Sequence, residues 1–344
     1  MILLRTCATD WTPKRLARLL ANGLAGLVLV CLLWGGAWSQ SVDSDALKPV
    51  TFLPQWQPQA QFAGYYIAKQ QGIYAQHGLD VTILRGGPNH PALAGLKSGE
   101  ADFTSAFLSN GVREFAGGTP LVHLAQLVQQ SSLMLVAKAD SGIDEIEDLD
   151  GRRVSIWPSF DIQPRALFRQ HGIEPEIIPQ NNTLNLFLRG AVDAASAMWY
   201  NEYYLLINSG LEESDLVEFF LRDSDVNFPE DGIYTLRSTW EADEAMCLAF
   251  VQATLEGWRY AFAHPEEALD AVMDKIRRAN LASNRVHQRW MLARMQDIMM
   301  PEGDAQPLGT LDAQALQRVS RELQNFNMIE EPVLYERFHQ NCTE

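Results

Sequence analysis

The sequence has little positive charge for its length of 344 residues. It contains 27 Lys and Arg against 43 Asp and Glu, a formal net charge of −16 at pH 7. Residues 1–39 hold four of the basic residues and one of the acidic ones, so the remainder carries a formal charge of −19. Such a surface repels nucleic acid and anionic lipid. We therefore expect neither as a partner.

Cysteine is also scarce, with four residues in the whole chain. Cys7 and Cys31 fall in the N-terminal segment, and the two others lie far apart without the paired spacing of a metal site. Cys247 shares a helical face with apolar residues, which favours a buried, unreactive thiol. The alternative is a disulfide with Cys342, because an exported chain meets oxidising conditions.

The chain lacks the common catalytic motifs. It has no G-x-S-x-G, no H-E-x-x-H and no G-x-x-x-x-G-K phosphate loop. Four histidines are scattered, with neither a second His nor a carboxylate at ligand spacing, and we expect each in a loop or at the surface: His77, His90, His123 and His171. The sequence therefore predicts no metal and no cofactor.

The first 39 residues have the pattern of a secretory signal peptide. Basic residues precede an apolar run, and Ala37-Trp38-Ser39 offers small residues where signal peptidase cleaves. We expect cleavage there and a periplasmic location. An uncleaved membrane anchor is the alternative, because the apolar run approaches the roughly 20 residues that span a bilayer. Val30 argues against a lipoprotein anchor at Cys31, since a small residue is expected at that position.

Strand and helix patterns alternate after the leader, which predicts an α/β fold with a parallel sheet. Strand patterns over 50–56 and 79–84 flank a helical pattern over 63–78. The alternation restarts at 144–157, which indicates a second α/β lobe. We place lobe 1 at 48–139 and 236–344, and lobe 2 at 140–235.

From Ser238 onward the pattern is that of long amphipathic helices, interrupted at His264-Pro265. We interpret this helical C-terminal tail as a scaffold around lobe 1 with little chemistry of its own.

Aromatic and amide residues concentrate in three segments, each at the end of a predicted strand. Open α/β sheets bind ligands at the carboxyl ends of their strands. The candidate ligand-binding residues in these segments are Trp56, Gln59, Gln61, Phe62, Tyr65, Trp157, Asp161, Trp199, Asn201 and Glu202.

These residue types suit a planar heteroaromatic ligand, since rings stack and amides supply donors and acceptors. Core packing is the alternative, and we favour it for three further tyrosines, which are Tyr66, Tyr203 and Tyr204. The segments contain carboxylates, Asp161 and Glu202, and no Lys or Arg. A neutral or cationic ligand is therefore expected.

The stretch W-x-P-x-x-x-F-A-G-Y-Y-x-A-x-x-x-G-x-Y-x-x-x-G-L-D-V, Trp56 to Val81, resembles the superfamily of thiamine-pyrimidine-synthase-like and alkanesulfonate-binding-like proteins. Three later phrases agree with it: GLKSGEADF (95–103), DLDGRRVSIW (148–157) and RGAVDAASAMW (189–199). The resemblance implies a type II periplasmic-binding-protein fold with two α/β lobes joined by a hinge. It also implies a monomer that delivers a small molecule to an ABC transporter permease. Members with this W-x-P motif tend to bind pyrimidine precursors of thiamine biosynthesis or riboflavin-like rings.

Three alternatives remain. The superfamily contains a pyridoxal-phosphate-dependent pyrimidine synthase, but its lysine, histidine and cysteine cluster are missing near Ala106, Asn110 and 227–232, so we expect no enzyme. An alkanesulfonate or nitrate would need a basic side chain, for which Arg85 and Arg113 are the nearest candidates. A ligand-sensing domain that docks onto a separate signalling protein would share the fold.

Overall fold

The computed structural model describes residues 47–181, 183–301 and 307–343. The expected signal peptide at 1–39 lies outside these ranges. No helix within them combines the length and the hydropathy that a bilayer crossing requires.

Within these ranges, ten strands form two five-stranded sheets. The strands are β1 (Lys48–Leu53), β2 (Leu79–Ile83), β3 (Phe103–Phe107), β4 (Leu121–Gln126), β5 (Leu133–Lys138), β6 (Arg153–Ile156), β7 (Glu176–Pro179), β8 (Ala194–Met198), β9 (Leu216–Phe220) and β10 (Asp231–Leu236). The first sheet has the order β2-β1-β3-β10-β4 and the second has the order β7-β6-β8-β5-β9.

Thirteen helices occur in the described ranges, and short 3-10 turns at Ala60–Phe62, Ala139–Ser141, Ile146–Leu149, Pro158–Phe160, Glu213–Asp215 and Leu221–Asp223 join them. The helices are α1 (Ala63–Gln70), α2 (Ile73–Gln76), α3 (Ala92–Ser98), α4 (Leu108–Ala116), α5 (Ile162–His171), α6 (Asn185–Leu188), α7 (Glu202–Asn208), α8 (Arg237–Ala242), α9 (Glu244–Ala263), α10 (Pro265–Arg278), α11 (Arg285–Met299), α12 (Ala313–Asn325) and α13 (Tyr335–Phe338).

The α/β prediction is confirmed, but both sheets are mixed rather than parallel. In the first sheet β1 runs parallel to β2 and β3, while β10 is inserted antiparallel between β3 and β4. In the second sheet β5 runs antiparallel to β8 and β9. The sequence pattern missed β9 and β10. The predicted boundary after residue 139 also assigned β5 to lobe 1, whereas β5 pairs with strands of the second sheet.

The predicted helix over 63–78 is two helices. Gly72 adopts a φ of 71° between α1 and α2, a left-handed conformation that glycine takes without a Cβ penalty. The break predicted at His264-Pro265 is confirmed, because α9 ends at Ala263 and α10 starts at Pro265.

Two segments cross between the sheets, 127–132 outward and 221–230 back. They are hydrogen-bonded to each other, since the N–H of Glu230 donates to the carbonyl of Val128 at 3.1 Å. The buried amide of Gln126 donates to the carbonyls of Val128 and Glu230 at 3.0 and 3.1 Å. The chain therefore crosses between the two sheets twice, as expected of a hinge.

The C-terminal helices complete the core of the first sheet. Phe250 of α9 stacks on Phe103 at 4.2 Å between ring centroids, and Phe52 stacks on Tyr65 at the same distance. Cys247 and Cys342 are buried free thiols, and burial raises the pKa of each to about 12. The prediction of an unreactive Cys247 fits this environment.

The prediction for His123 is wrong, because this residue is fully buried in β4. Its Nδ1 lies 2.8 Å from Nδ1 of His339, and its Nε2 lies 3.1 Å from Oε1 of Gln126. Burial lowers the pKa of His123 well below its usual value and that of His339 to about 4, so the pair is neutral. Each of the other three predicted histidines contacts a carboxylate at least 10 residues away in sequence: His77 with Glu256, His90 with Glu100 and His171 with Glu147.

The glycine of the F-A-G-Y-Y motif permits the contact between α1 and α9. A Cβ added to Gly64 would lie 2.4 Å from Cγ of Trp258, whose ring is buried. We expect Gly64→Ala to reduce the free energy of unfolding by about 2 kcal/mol, because overpacking outweighs the gain in helix propensity. Urea denaturation measures this. Gly117→Ala is the control, since that glycine is exposed and its added Cβ would come no nearer than 3.3 Å to a neighbour. Equal stability of the two variants would contradict the packing argument.

Candidate functional site

The carboxyl ends of the parallel strands of both sheets meet the crossing segments. Asp231 lies opposite Phe107, the last residue of β3, and Leu133 lies opposite Met198, the last residue of β8. Phe107 also contacts Phe160, from the loop after β6, at 4.8 Å between ring centroids. The strand-end loops of the two sheets are therefore adjacent at this junction.

A chain of amides runs from the first loop to the carboxylate of Asp231. Nε2 of Gln59 donates to Oε1 of Gln61 at 2.6 Å, and Nε2 of Gln61 donates to Oδ2 of Asp231 at 2.8 Å. The Gln55 side chain donates to the other oxygen of Asp231. Gln61 and Asp231 are each only 4% exposed, so these bonds form away from water. The amide cluster predicted from the sequence is thus organised around a carboxylate that was not predicted.

The neighbouring carboxylate, Glu230, binds the second sheet. It is 3% exposed and accepts hydrogen bonds from the backbone N–H of Ser132 at 2.6 Å and from its hydroxyl at 2.8 Å. Successive residues of an extended chain point to opposite sides. Glu230 therefore holds the start of β5, while Asp231 holds the loop after β1.

A third carboxylate comes from the segment after β8. Glu202 accepts from the backbone N–H of Met198 at 3.1 Å and from the Asn201 amide at 2.7 Å. It occupies the first turn of α7, where the helix dipole favours negative charge. The predicted residues Asn201 and Glu202 are thus direct partners.

The three carboxylates share a desolvated environment. Burial raises the pKa of Glu202 and Glu230 to about 7 and that of Asp231 to about 8, with a further contribution to Asp231 from the charge of Glu230. Burial raises the pKa of Tyr200, and the charges of all three carboxylates raise it further, which places them within electrostatic reach of one side chain. Among the described residues, no Lys or Arg offsets these shifts.

The three tryptophans have different surroundings. Trp56 is half-buried against the first core. Trp157 is half-buried and donates from Nε1 to the carbonyl of Asn181 at 3.1 Å. Trp199 is covered by two guanidinium groups, those of Arg222 at 4.2 Å and Arg294 at 4.6 Å from its ring centroid. The ring of Trp199 therefore has more contacts with side chains of the protein itself than the rings of Trp56 and Trp157.

Other predicted residues lie deeper or have their own partners. Phe62 and Tyr65 are fully buried in the core, and the Tyr65 hydroxyl has no hydrogen-bond partner in the described part of the chain. Asp161 forms an ion pair with Arg165 of α5 at 2.7 Å, so its charge is offset. Tyr66 and Tyr203 are buried, and Tyr203 donates to Glu218. Core packing, which we favoured for these two tyrosines, agrees with that placement.

The tail contributes more to this region than the sequence indicated. Oε1 of Gln288 in α11 accepts from the N–H of Ala60 at 2.6 Å. Nε1 of Trp290, in the same helix, donates to the carbonyl of Trp199 at 3.1 Å. Helix α11 therefore connects the first and third predicted loops. The interpretation of the tail as a scaffold around lobe 1 alone was too narrow.

Four residues of this junction were missed, namely Gln55, Tyr200, Glu230 and Asp231. Tyr200 lies within the third aromatic segment and Gln55 directly precedes the first, so strict attention to strand ends could have included them. Glu230 and Asp231 lie where the second crossing segment meets β10, a strand that the sequence pattern missed. Buried carboxylates leave no periodic signal in a sequence.

A family model described as NMT1/THI5 like matches residues 59–268. The chain belongs to the NMT1/THI5-like family. This confirms the resemblance drawn from the Trp56–Val81 stretch.

Relatives of this family member include two binding proteins. The formylaminopyrimidine-binding protein of Halalkalibacterium halodurans is 23% identical over 316 residues, covering 88% of this chain and 92% of the relative. The riboflavin-binding protein RibY of Chloroflexus aurantiacus is 25% identical over 303 residues, covering 83% of each. The periplasmic aliphatic sulphonate binding protein SsuA from Escherichia coli superposes with a TM-score of 0.65 at 15% identity, over 85% of this chain and 97% of that one. The structural likeness confirms the periplasmic-binding-protein fold.

The raised pKa of Asp231 makes stability depend on pH. Because the folded-state value of about 8 exceeds the unfolded value, the contribution is complete below about pH 4 and is lost as the pH rises through 8. Asp231→Asn replaces the ionisable carboxyl group with an amide. The side-chain amide of Gln55 can rotate so that its oxygen accepts a hydrogen bond from the new N–H. We expect this variant to be more stable than the wild type by about 2 to 4 kcal/mol at pH 9 and by little at pH 5.

Urea unfolding at the two pH values measures the difference. Asp80→Asn is the control, since Asp80 is exposed in β2. A pH-independent effect of Asp231→Asn would show that the carboxylate does not titrate as its burial implies.

Proposed function

We propose that this family member is the solute-binding protein of an ABC importer and that it binds a planar nitrogen heterocycle, such as a thiamine pyrimidine precursor or a riboflavin-like ring. The binding site is the junction of the strand-end loops at the double crossing. The chain acts as a monomer in the periplasm after removal of residues 1–39, and the closed form docks onto the permease. It is not an enzyme.

The observation that carries this proposal is a set of desolvated carboxylates beside rings and amides, of which Glu230 and Asp231 are buried and Glu202 is half-buried. A carboxylate in a dry site is costly unless donors or positive charge compensate it. Glu202, Glu230 and Asp231 have local donors, and their raised pKa values show that compensation is incomplete. A heterocycle with N–H donors, or one protonated on the ring, supplies what is missing.

The two binding-protein relatives support the ligand class. By their names one binds a formylaminopyrimidine and the other binds riboflavin, and both ligands are planar nitrogen heterocycles. Each relative is matched over more than four fifths of its length. A fluorescence titration with individual heterocycles distinguishes the exact ligand within this class.

The roles of the predicted residues follow from their surroundings. Trp56 and Trp157 stack on the ring, while the amides of Gln59, Gln61 and Asn201 bind its edge. Glu202 meets an exocyclic amine. The remaining members of the set shape the walls of the site and hold its loops in place: Phe62, Tyr65, Asp161 and Trp199. Closure of the two lobes would exclude water from the ring.

The alternatives have less support. A sulfonate or nitrate would meet three carboxylates. Arg85 and Arg113 are exposed, and the guanidinium groups of Arg222 and Arg294 lie over the ring of Trp199. For the synthase, the position expected to hold the cofactor lysine is Ala106, buried in β3. The segment expected to hold its cysteines carries instead the acidic pair of the crossing, Glu230 and Asp231.

Tryptophan fluorescence of the mature chain tests the ligand class. We expect saturable quenching by 4-amino-5-hydroxymethyl-2-methylpyrimidine or by riboflavin, and none by ethanesulfonate at pH 9, where Glu202, Glu230 and Asp231 are ionised and repel an anion. Correction for absorbance by riboflavin is part of the measurement. A response to ethanesulfonate alone would overturn the proposal in favour of the anion-binding alternative.

Trp56→Ala tests the stacking role. We expect the affinity for the responding heterocycle, measured by isothermal calorimetry, to fall roughly 10-fold or more, since one aromatic contact contributes about 1 kcal/mol beyond its buried area. The urea midpoint should change little, because the ring is half-buried. Trp240→Ala is the control, a half-buried tryptophan of α8 outside the junction. Unchanged affinity in folded Trp56→Ala protein would remove this residue from the site.

A further inference from the structure

The N-terminal turn of α11 lies against two of the loops that form the proposed site. Gln288 accepts from the N–H of Ala60, between the predicted residues Gln59 and Gln61. One residue earlier, His287 stacks on Tyr204 with ring centroids 4.9 Å apart and planes inclined by 16°. Tyr204 belongs to the segment that carries Asn201 and Glu202. A helix from the tail therefore contacts two of the loops of the proposed site.

His287 has a buried polar atom with nothing to bind. The residue is 7% exposed, and its Nε2 has no hydrogen-bond partner in the described part of the chain. An unpaired polar atom of this kind is rare in a folded protein and calls for an explanation. A helix of scaffold residues alone would place an apolar side chain here.

The surroundings determine which hydrogen bond Nε2 can make. Burial lowers the pKa of His287, so the imidazole is neutral near pH 7 and carries one proton. The backbone of Asn201 lies beside this ring. We assign the proton to Nδ1, because a proton on Nε2 would have no acceptor in the described part of the chain. Nε2 is then a bare acceptor, as only one ring nitrogen of a neutral imidazole donates.

We propose that Nε2 of His287 accepts a hydrogen bond from the bound ligand and thereby selects for a neutral donor, a hydroxyl or an amide N–H, on a substituent of the ring. This rests on the proposed function. The carboxylates at the crossing are the stronger acceptors and take the amine or a protonated ring nitrogen. The imidazole carries no charge, so it adds selectivity for a neutral group at little electrostatic cost.

The test uses the mature full chain and calorimetry with two probes, 4-amino-5-hydroxymethyl-2-methylpyrimidine and 4-amino-2,5-dimethylpyrimidine, which lacks the hydroxyl. We expect the wild type to prefer the hydroxylated probe roughly 10-fold or more, because the analogue leaves a buried acceptor unpaired. His287→Phe keeps a ring against Tyr204 and removes the acceptor, so this preference should disappear. His287→Gln restores a side-chain oxygen and should recover most of the preference.

His264→Phe is the matched control. His264 also stacks on a tyrosine, Tyr260, with centroids 4.3 Å apart, but it is exposed at the end of α9. Its replacement should leave the preference unchanged. A purely structural role for His287 would change the melting temperature and weaken both probes equally.

The outcomes separate the two proposals. If the wild type binds the pyrimidines and His287→Phe keeps the preference, the role of His287 is wrong and the proposed function stands. If His287→Phe does not fold, the test uses His287→Gln instead. If folded His287→Gln protein shows no preference for the hydroxylated probe, the proposal that residue 287 accepts a hydrogen bond from the ligand is wrong. If the wild type binds neither the pyrimidines nor riboflavin, the proposed function fails and the role of His287 fails with it.

Discussion

The structure depends on the burial of two adjacent carboxylates where the chain returns from the second sheet to the first. Glu230 binds the start of β5 through Ser132, and Asp231 binds the loop after β1 through Gln55 and Gln61. Ionising either one in this environment is unfavourable, which is why both pKa values rise to about 7 and 8. The pair does not maximise stability, since uncharged residues of similar size would be easier to bury.

The tail links this crossing to the rest of the fold. Helix α9 packs on α1 so closely that Gly64 has no room for a Cβ beside Trp258. The last segment pairs with β4, where His339 contacts His123 and His123 contacts Gln126. Gln126 in turn donates to the carbonyl of Glu230. A continuous set of buried hydrogen bonds therefore runs from the C-terminal segment to the hinge, and it requires both histidines to be neutral.

Local sequence was sufficient for features that repeat with a period or follow a strand. The alternation of β1, α1 and β2 was predictable, as was the position of Trp56 and Gln59 just beyond a strand. The role of Asp231 was not predictable, because its partner Gln61 is 170 residues away in sequence and the strand that Asp231 begins is inserted antiparallel in the first sheet. His123 was assigned to the surface for the same reason, since its partner is 216 residues away. Pairings of this kind are set by topology, on which hydropathy patterns carry no information.

The same limit explains why aromatic residues could suggest a ligand class from sequence, while the proposed polar selectivity could not be predicted in the same way. A ring at a strand end can be read from sequence as a stacking surface. A donor or acceptor acquires meaning only when its partners are known, as with Nε2 of His287, which is informative because nothing in the described chain binds it. Discrimination among similar heterocycles comes from such unpaired groups more than from stacking, because a missing hydrogen bond costs more than a changed apolar contact. Under the proposed function, selectivity therefore depends on residues brought together from the crossing and the tail, and the aromatic loops supply general affinity.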